Sequence, residues 1–110
     1  MVLQLRTDTI GTMPVVAVGG VVDLATVPHL RDELTKAIRR FPGEHLAIDL
    51  DGVGAIDDAG LGVLLGAAAL ARDTGGDVSF VVSSGRLREQ LARTRVDRAV
   101  AIASSASELA

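Results

Sequence analysis

The fold class is decided by residues 45–72, which read HLAIDLDGVGAIDDAGLGVLLGAAALAR. Residues 45–50 are a short apolar run that ends in an acid, which predicts a strand covered on both faces and therefore a parallel one. Residues 51–58 are rich in glycine and aspartate, so they are interpreted as a loop. Residues 59–72 are apolar almost all round and predict a buried helix, in which tight packing must offset the roughly 1 kcal/mol that each internal glycine costs.

Two strands are predicted near the start of the chain. Residues 3–6 alternate apolar and polar side chains, and residues 13–22 are rich in β-branched residues. Gly19 and Gly20 interrupt the second strand. Paired glycines inside a strand indicate a bulge or the close approach of another backbone.

Helices and strands alternate on either side of residues 45–72. Between residues 27 and 41, apolar side chains recur at three- and four-residue intervals, which predicts a helix whose start Asp23 or Thr26 can cap. Further elements are predicted as strands at 78–82 and 99–103, a helix after Ser83 or Ser84, and a short helix at 105–108. The chain is therefore predicted to be one α/β domain, residues 1–110, with a mixed sheet of about five strands and helices packed over it.

Composition excludes several kinds of protein. The chain has 48% hydrophobic and 23% charged residues, which is typical of a globular protein. It has no cysteine, so it forms neither a disulfide nor a thiolate metal site. Its net charge of −3 argues against attraction of the whole surface to nucleic acid or anionic lipid. Residues 1–12 lack a signal-peptide pattern and no apolar run reaches about 18 residues, so we expect a cytoplasmic protein.

Four aspartates cluster around the glycine-rich stretch: Asp49, Asp51, Asp57 and Asp58. This stretch would lie beyond the carboxyl end of a parallel strand, which is where sites form in open α/β sheets. Asp23 follows the second predicted strand and would come close if the second and third strands are neighbours. We therefore expect the candidate site at this edge of the sheet.

Asp57 and Asp58 stand at the start of the buried helix, where an aspartate often serves only as an N-cap. One side chain is enough for capping, so capping and partner contact are equally good explanations of Asp57. The second carboxylate then has no obvious structural purpose. Asp58 is therefore the residue that needs a functional explanation.

Two motifs resemble those of STAS domains, and the match extends over nearly the whole chain. Gly20-Val21-Val22-Asp23, followed by Thr26 and by Leu30-Arg31, is similar to the opening signature of the family. Ile48-Asp49-Leu50 and residues 56–64, IDDAGLGVL, are similar to its central motif. On these motifs the chain is identified as a member of the STAS family, of the type found in anti-sigma factor antagonists of bacterial transcription control.

The resemblance implies a regulatory protein that is not an enzyme. Family members of this type bind an anti-sigma factor that is also a serine kinase, and phosphorylation of a serine ends the binding. That serine follows the aspartate of the central motif, and here the position is Asp58, which has no hydroxyl group. The partner-binding residues expected from these motifs are Asp23, Thr26, Asp57, Asp58, Ala59, Gly60 and Leu61. Leu61 could equally belong to the core alone.

Asp58 is a partial substitute for a phosphoserine. A phosphoserine carries a charge of about −1.5 to −2 and three acceptor oxygens, whereas an aspartate carries about −1 and two oxygens. One hypothesis is that Asp58 fixes the protein in a state like the phosphorylated one, with weak binding to its kinase partner. The other is that the partner has adapted to Asp58, so that regulation comes from expression level or another site.

The sequence departs from the family a second time at Arg95-Val96, where relatives often have a glycine before an apolar residue. The arginines of this segment are Arg86, Arg88, Arg93, Arg95 and Arg98. Such a run of charge is usually a solvated helix face. A contact with a partner or a phosphate is the less favoured interpretation.

Other kinds of function fit the sequence less well. A phosphoacceptor domain of the response-regulator kind would need a lysine after the last strand, and the one lysine is Lys36. His29 and His45 are far apart and belong to no metal-ligand cluster, so neither a metal nor another cofactor is expected. A STAS module that binds a nucleotide or a lipid is the alternative, although Asp57 and Asp58 would repel an anion. We expect a protein partner, no nucleic acid, no membrane, and a monomer or a weak homodimer.

Overall fold

In the computed structural model, which describes residues 3–110, the chain forms one five-stranded sheet. The strands are β1 (Gln4–Ile10), β2 (Met13–Val22), β3 (His45–Ile56), β4 (Asp77–Val81) and β5 (Ala101–Ala103). The helices are α1 (Val27–Arg40), α2 (Asp58–Asp73), α3 (Gly85–Arg93) and the single turn α4 (Val96–Ala99), followed by a 3-10 turn at Ala106–Glu108. The strands lie in chain order, with β1 antiparallel to β2 and every later pair parallel. The predicted mixed α/β sheet is confirmed.

The sheet has one thickly covered face and one thinly covered face. Alternate residues of the inner strands pack with all four helices in the main core; they include Val16, Val18, Ile48, Leu50, Val78 and Phe80. Met13, Val15, Ala47 and Val81 form a smaller cluster, which Ala106 and Leu109 cover. Burial of each large apolar side chain stabilises the fold by about 1.5–3 kcal/mol. Among residues 3–110, no helix is long and apolar enough to cross a membrane.

β3 is longer than expected, and the prediction of a loop at residues 51–58 is wrong. The strand continues to Ile56, and its second half pairs in parallel with the second half of β2. A Cβ atom at Gly52 would lie only 2.9 Å from the carbonyl oxygen of Val18. The glycines that resemble loop residues therefore allow two backbones to approach closely.

The irregularity predicted at Gly19 and Gly20 is confirmed. The register between β2 and β3 shifts on either side of these two residues. Gly20 has a φ of 107°, which an L side chain rarely adopts. The irregularity thus lies within the pairing of β2 with β3 and does not end either strand.

The final strand begins two residues later than predicted. Val96–Ala99 form the helical turn α4, so β5 starts at Ala101 rather than at residue 99. Arg95, directly before α4, has a φ of 63°. This left-handed conformation costs a residue with a side chain roughly 1–2 kcal/mol. The departure from glycine at this position therefore places a strained arginine at the turn between α3 and α4.

Candidate functional site

The carboxyl ends of β2 and β3 meet at one edge of the sheet. Val22 pairs with Ile56, and the backbone N–H of Asp57 donates to the carbonyl oxygen of Val22 at 3.1 Å. Asp23 and Asp57 therefore follow directly after paired residues, and the expected proximity of their turns is confirmed. Residues 23–26 and 57–61 are called the site edge below.

Asp23 and Thr26 hold the turn between β2 and α1. The Asp23 carboxylate accepts from the backbone N–H groups of Ala25 and Thr26 at 3.0 and 3.2 Å. The Thr26 hydroxyl donates to the carbonyl oxygen of Val21 at 2.9 Å and accepts from the Asp23 N–H at 3.0 Å. Thr26 occupies the N-cap position of α1, but its side chain makes no capping bond. The Asp23 carboxylate therefore binds N–H groups at the start of the helical turns as a capping side chain does, whereas the Thr26 side chain makes no capping bond and orders the turn.

Asp57 and Asp58 differ sharply although they are adjacent. Asp57 is the N-cap of α2, and its carboxylate accepts from the Gly60 N–H at 3.0 Å. Asp58 is the first residue of α2 and is exposed, and the structure gives its carboxylate no hydrogen bond or ion pair with another of residues 3–110. Its charge is favourable at a helix N-terminus. Capping therefore explains Asp57, and the carboxylate of Asp58 is left facing solvent.

Gly60 and Leu61 are the buried residues of the site edge. A Cβ atom at Gly60 would be 2.4 Å from Cγ1 of Val22 and 2.8 Å from Cγ1 of Ile56. Gly60 therefore lets the first turn of α2 rest on the ends of both strands. Leu61 is 4% exposed and belongs to the main core, whereas Ala59 is half-buried. Partner contact by these three residues stays a prediction.

The site edge also contains an exposed leucine that was not expected from the motifs. Leu24, in the turn after Asp23, is 78% exposed. It lies at one end of a groove of about 480 Å³ between α1 and α2, whose lining also includes Val27, Leu34, Ala59, Val63 and Leu70. An apolar residue in a polar turn is the only sequence signal that could have identified it. The site edge therefore combines carboxylates with an apolar surface.

Asp49 and Asp51 do not join Asp57 and Asp58, so the predicted cluster of four aspartates is wrong. Asp49 pairs with Ala17 and Ile56 with Val22, so five residues of extended strand, roughly 17 Å at about 3.3 Å per residue, separate Asp49 from the start of the site edge. The Asp51 carboxylate accepts from the backbone N–H and the hydroxyl of Ser83 at 2.7 and 3.0 Å. Asp51 thus ties β3 to the end of β4. Among residues 3–110, no group of three or more histidine or acidic side chains could hold a metal ion.

α3 packs beside the second half of β3, a contact that no motif of the sequence predicts. β4 pairs with β3 only as far as Asp49, which leaves one edge of the later residues without a strand. The side-chain amide of Gln90 donates to the carbonyl oxygen of Ile56 at 2.7 Å, and the Arg86 guanidinium donates to that of Gly54. Side chains of α3 therefore replace the missing strand neighbour.

The basic segment divides into two groups. Arg86 is bound to β3 as described, and Arg88 donates to the carbonyl oxygen of Val82 and to the Ser104 hydroxyl, both at 2.8 Å. The other three arginines, Arg93, Arg95 and Arg98, are exposed. The ion pairs that the structure records within residues 3–110 are Lys36 with Glu33 and Arg72 with Asp77. A solvated face therefore describes only part of this segment.

The opposite edge of the sheet holds a separate polar group. The Arg72 guanidinium donates to Asp77 at 2.9 Å. Burial raises the pKa of Asp77, but hydrogen bonds from the Val78 N–H and from Arg72 outweigh burial and leave the pKa below its ordinary value. His45 lies 2.6 Å from the hydroxyl of Ser79, which is 1% exposed. These contacts join the starts of β3 and β4 and are far from the site edge.

The comparisons with known proteins agree with this geometry. The family model described as Mlab, STAS domain, matches residues 5–103. An anti-sigma F factor antagonist from Paenibacillus polymyxa is 30% identical over 79 residues, which are 72% of this chain and 68% of that protein. The crystal structure of an anti-sigma factor antagonist from Mycobacterium paratuberculosis has a TM-score of 0.80 at 22% identity. The match covers 97% of this chain and 90% of the mycobacterial chain.

A further solved structure is that of the Bacillus cell fate determinant SpoIIAA in its phosphorylated form. Its TM-score is 0.69 at 17% identity, and the match covers 98% of this chain and 96% of the SpoIIAA chain. At this identity the likeness shows the fold alone, whereas the family match extends over most of the sequence. The chain therefore belongs to the STAS domain family and is similar to the anti-sigma factor antagonists within it.

Proposed function

We propose that residues 1–110 act as one STAS domain that binds an anti-sigma factor with serine kinase activity, and so regulates sigma-factor-dependent transcription in the bacterial cytoplasm. The observation that carries the proposal is the exposed carboxylate of Asp58 on the first residue of α2. By resemblance, this is the position at which related antagonists carry the phosphorylated serine. The similar protein from Paenibacillus polymyxa bears the name of an anti-sigma F factor antagonist.

The local geometry supports an outward role for Asp58. Asp57 already supplies the capping bond to Gly60, so the second carboxylate has no backbone group to satisfy. The N-terminal end of α2 stabilises negative charge, so the fold tolerates Asp58 at little cost. A partner that approaches the site edge therefore meets a permanent negative charge instead of a hydroxyl that can be modified.

Asp58 then acts as a partial phosphoserine mimic. Its charge of about −1 is smaller than the −1.5 to −2 of a phosphoserine, so binding to the kinase partner is weakened but not abolished. Regulation would then depend on the amount of protein present, since a serine kinase finds no hydroxyl to phosphorylate at this position. The role is one of binding, and no catalytic step is assigned to the domain.

The test is capture of the partner from the source cells with purified wild-type protein and with Asp58→Ser as baits. We expect both baits to recover an anti-sigma factor of the serine kinase type, with about tenfold tighter binding to the serine variant, equivalent to about 1.4 kcal/mol. Asp8→Ser is the matched control, because Asp8 is exposed and lies opposite Val15 near the start of β2, whereas the site edge follows the end of β2.

Each result has a distinct meaning. Failure of both baits to recover an anti-sigma kinase would contradict the proposed function. Equal affinity of wild-type protein and Asp58→Ser would reject the mimic and favour a partner adapted to the carboxylate. An equal gain in Asp8→Ser would show that the effect is one of net charge alone.

A further inference from the structure

A second concave surface adjoins the site edge on the side away from α1. It is a groove of about 320 Å³ between the second half of β3 and α3, called the α3 groove. The residues that define it are Val53, Ala55, Ile56, Arg86, Gln90 and Arg93. Ile56 directly precedes Asp57, so the groove begins where the site edge ends. A partner that covers Asp57 and Asp58 would therefore also reach the α3 groove.

The α3 groove and the site edge carry charges of opposite sign. Arg86 and Arg93 are exposed on the rim of the groove, and neither forms an ion pair with another of residues 3–110. Glu89 also lines the groove, which leaves one net positive charge there. The Arg86 guanidinium donates to Gly54 and has further N–H donors available. The groove therefore suits a carboxylate, whereas the neighbouring aspartates suit a cation.

The occupant of the groove is a side chain and not an added strand. Peptides that extend a sheet bind the free carbonyl and N–H groups of an edge strand. Here the carbonyl oxygens of Gly54 and Ile56 already accept from Arg86 and Gln90. Half-buried Val53 lines the groove together with Ile56 and Leu87, so part of the lining is apolar. An acidic side chain with an apolar stem can place the stem against these apolar residues and its carboxylate beside the arginines.

We propose that the α3 groove receives an acidic side chain of the protein partner, whose carboxylate pairs with Arg86 and Arg93. This inference rests on the proposed function and adds the charge pattern of the partner surface. On that surface, an acidic side chain enters the α3 groove, and a basic side chain next to it faces Asp57 and Asp58. Nucleic acid fits the pattern poorly, because its phosphates would meet the two aspartates of the site edge and a chain of net charge −3.

The experiment measures the dissociation constant of the recovered anti-sigma kinase for wild-type protein, Arg93→Glu and Arg39→Glu. Arg39 is the matched control, because it is an exposed arginine in the last turn of α1, as Arg93 is in the last turn of α3. We expect Arg93→Glu to weaken binding at least tenfold and Arg39→Glu to change it less than twofold. Equal effects of the two reversals, or no effect of either, would overturn the proposal.

Two further measurements keep the test decisive. Melting temperatures verify folding, and Arg93→Ala replaces Arg93→Glu if the reversal unfolds the protein, with a smaller but measurable loss of affinity expected.

If wild-type protein recovers no anti-sigma kinase, the proposed function fails separately, and the peptide acetyl-Leu-Glu-Leu-amide becomes the probe. Amide shifts in residues 53–56 and 86–93 that Arg93→Glu abolishes would support the groove. Absence of these shifts, or binding of a single-stranded oligonucleotide there instead, would refute it.

Discussion

The two halves of β3 share one extended backbone but serve different purposes. In the first half, residues 45–49 pair with β4, residues 47–49 pair with β2 as well, and Ala47 and Ile48 are completely buried. In the second half, residues 52–56 pair with β2 alone and meet side chains of α3 on the other edge. Where the strand loses its second neighbour, its surroundings open to solvent. The first half therefore specifies the core, and the second half positions the site edge and the α3 groove.

The largest expected effect comes from shortening a side chain in the first half of β3. Ile48→Ala should lower the free energy of unfolding by about 2–5 kcal/mol, because Ile48 is 0% exposed and its loss leaves a cavity. Val53→Ala, in the half-buried second half, should cost less than about 1 kcal/mol. Urea denaturation of both variants measures the difference. Similar losses would contradict the division of β3 into a core half and an open half.

The contact between the second half of β3 and α2 can be tested at two glycines of the same helix. Gly60→Ala should destabilise the protein by about 1–3 kcal/mol, because the new methyl group would overlap Val22 and Ile56. Gly62→Ala is the matched control, since a Cβ there meets nothing within 4 Å, and it should stabilise the helix by up to about 1 kcal/mol. Thermal unfolding of the two variants distinguishes them. A stable Gly60→Ala protein would refute the close packing beneath the site edge.

The adjacent aspartates at the end of the second half should differ in their effect on stability. Asp57→Ala removes the capping bond to Gly60 and should cost about 1 kcal/mol. Asp58→Ala removes only a favourable charge near the helix terminus and should cost a few tenths of a kcal/mol. Chemical denaturation at low ionic strength measures both. A larger loss from Asp58→Ala would show that its carboxylate has a structural partner.

The smallest expected effect lies at the other end of β3, where His45 pairs with Asp77. The pKa of Asp77 is lowered in the folded protein from a reference of 3.8, so its ionised form stabilises the fold above that pH. This contribution is lost as the pH falls through the lowered folded pKa. Wild-type protein should exceed Asp77→Asn in stability by less than about 1 kcal/mol at pH 7, because the Arg72 pair is largely exposed. Unfolding at pH 7 and below pH 3 should show the difference shrinking, and growth of the difference in acid would contradict it.

The sequence predicts the fold well wherever one periodicity dominates. The helix expected at 27–41 is found at Val27–Arg40, and the strand expected at 13–22 is found with those bounds. The loop expected at 51–58 is instead part of β3, because glycines that permit close strand pairing cannot be told from loop glycines by composition. Only the tertiary contact of Gly52 with Val18 distinguishes the two cases.

The candidate site was predictable in part for the same reason. Asp23, Asp57 and Asp58 follow strand ends that parallel pairing brings together, so their position could be inferred from the order of elements. The exposure of Leu24 and the contact of Gln90 with Ile56 depend on how a turn and a helix pack, and no local pattern encodes them. Asp49 and Asp51 lie apart from the site because residues 51–56, whose composition predicts a loop, continue β3.

The central proposal is that Asp58 stands at the position where, by resemblance, related antagonists carry a serine that can be phosphorylated. Phosphate transfer from ATP by the recovered anti-sigma kinase, followed by mass spectrometry, tests it most directly. The account predicts that Asp58→Ser accepts one phosphate at residue 58 and that wild-type protein accepts none. Phosphorylation of wild-type protein at another serine or threonine as readily as the variant, or an unmodified Asp58→Ser protein, would contradict it.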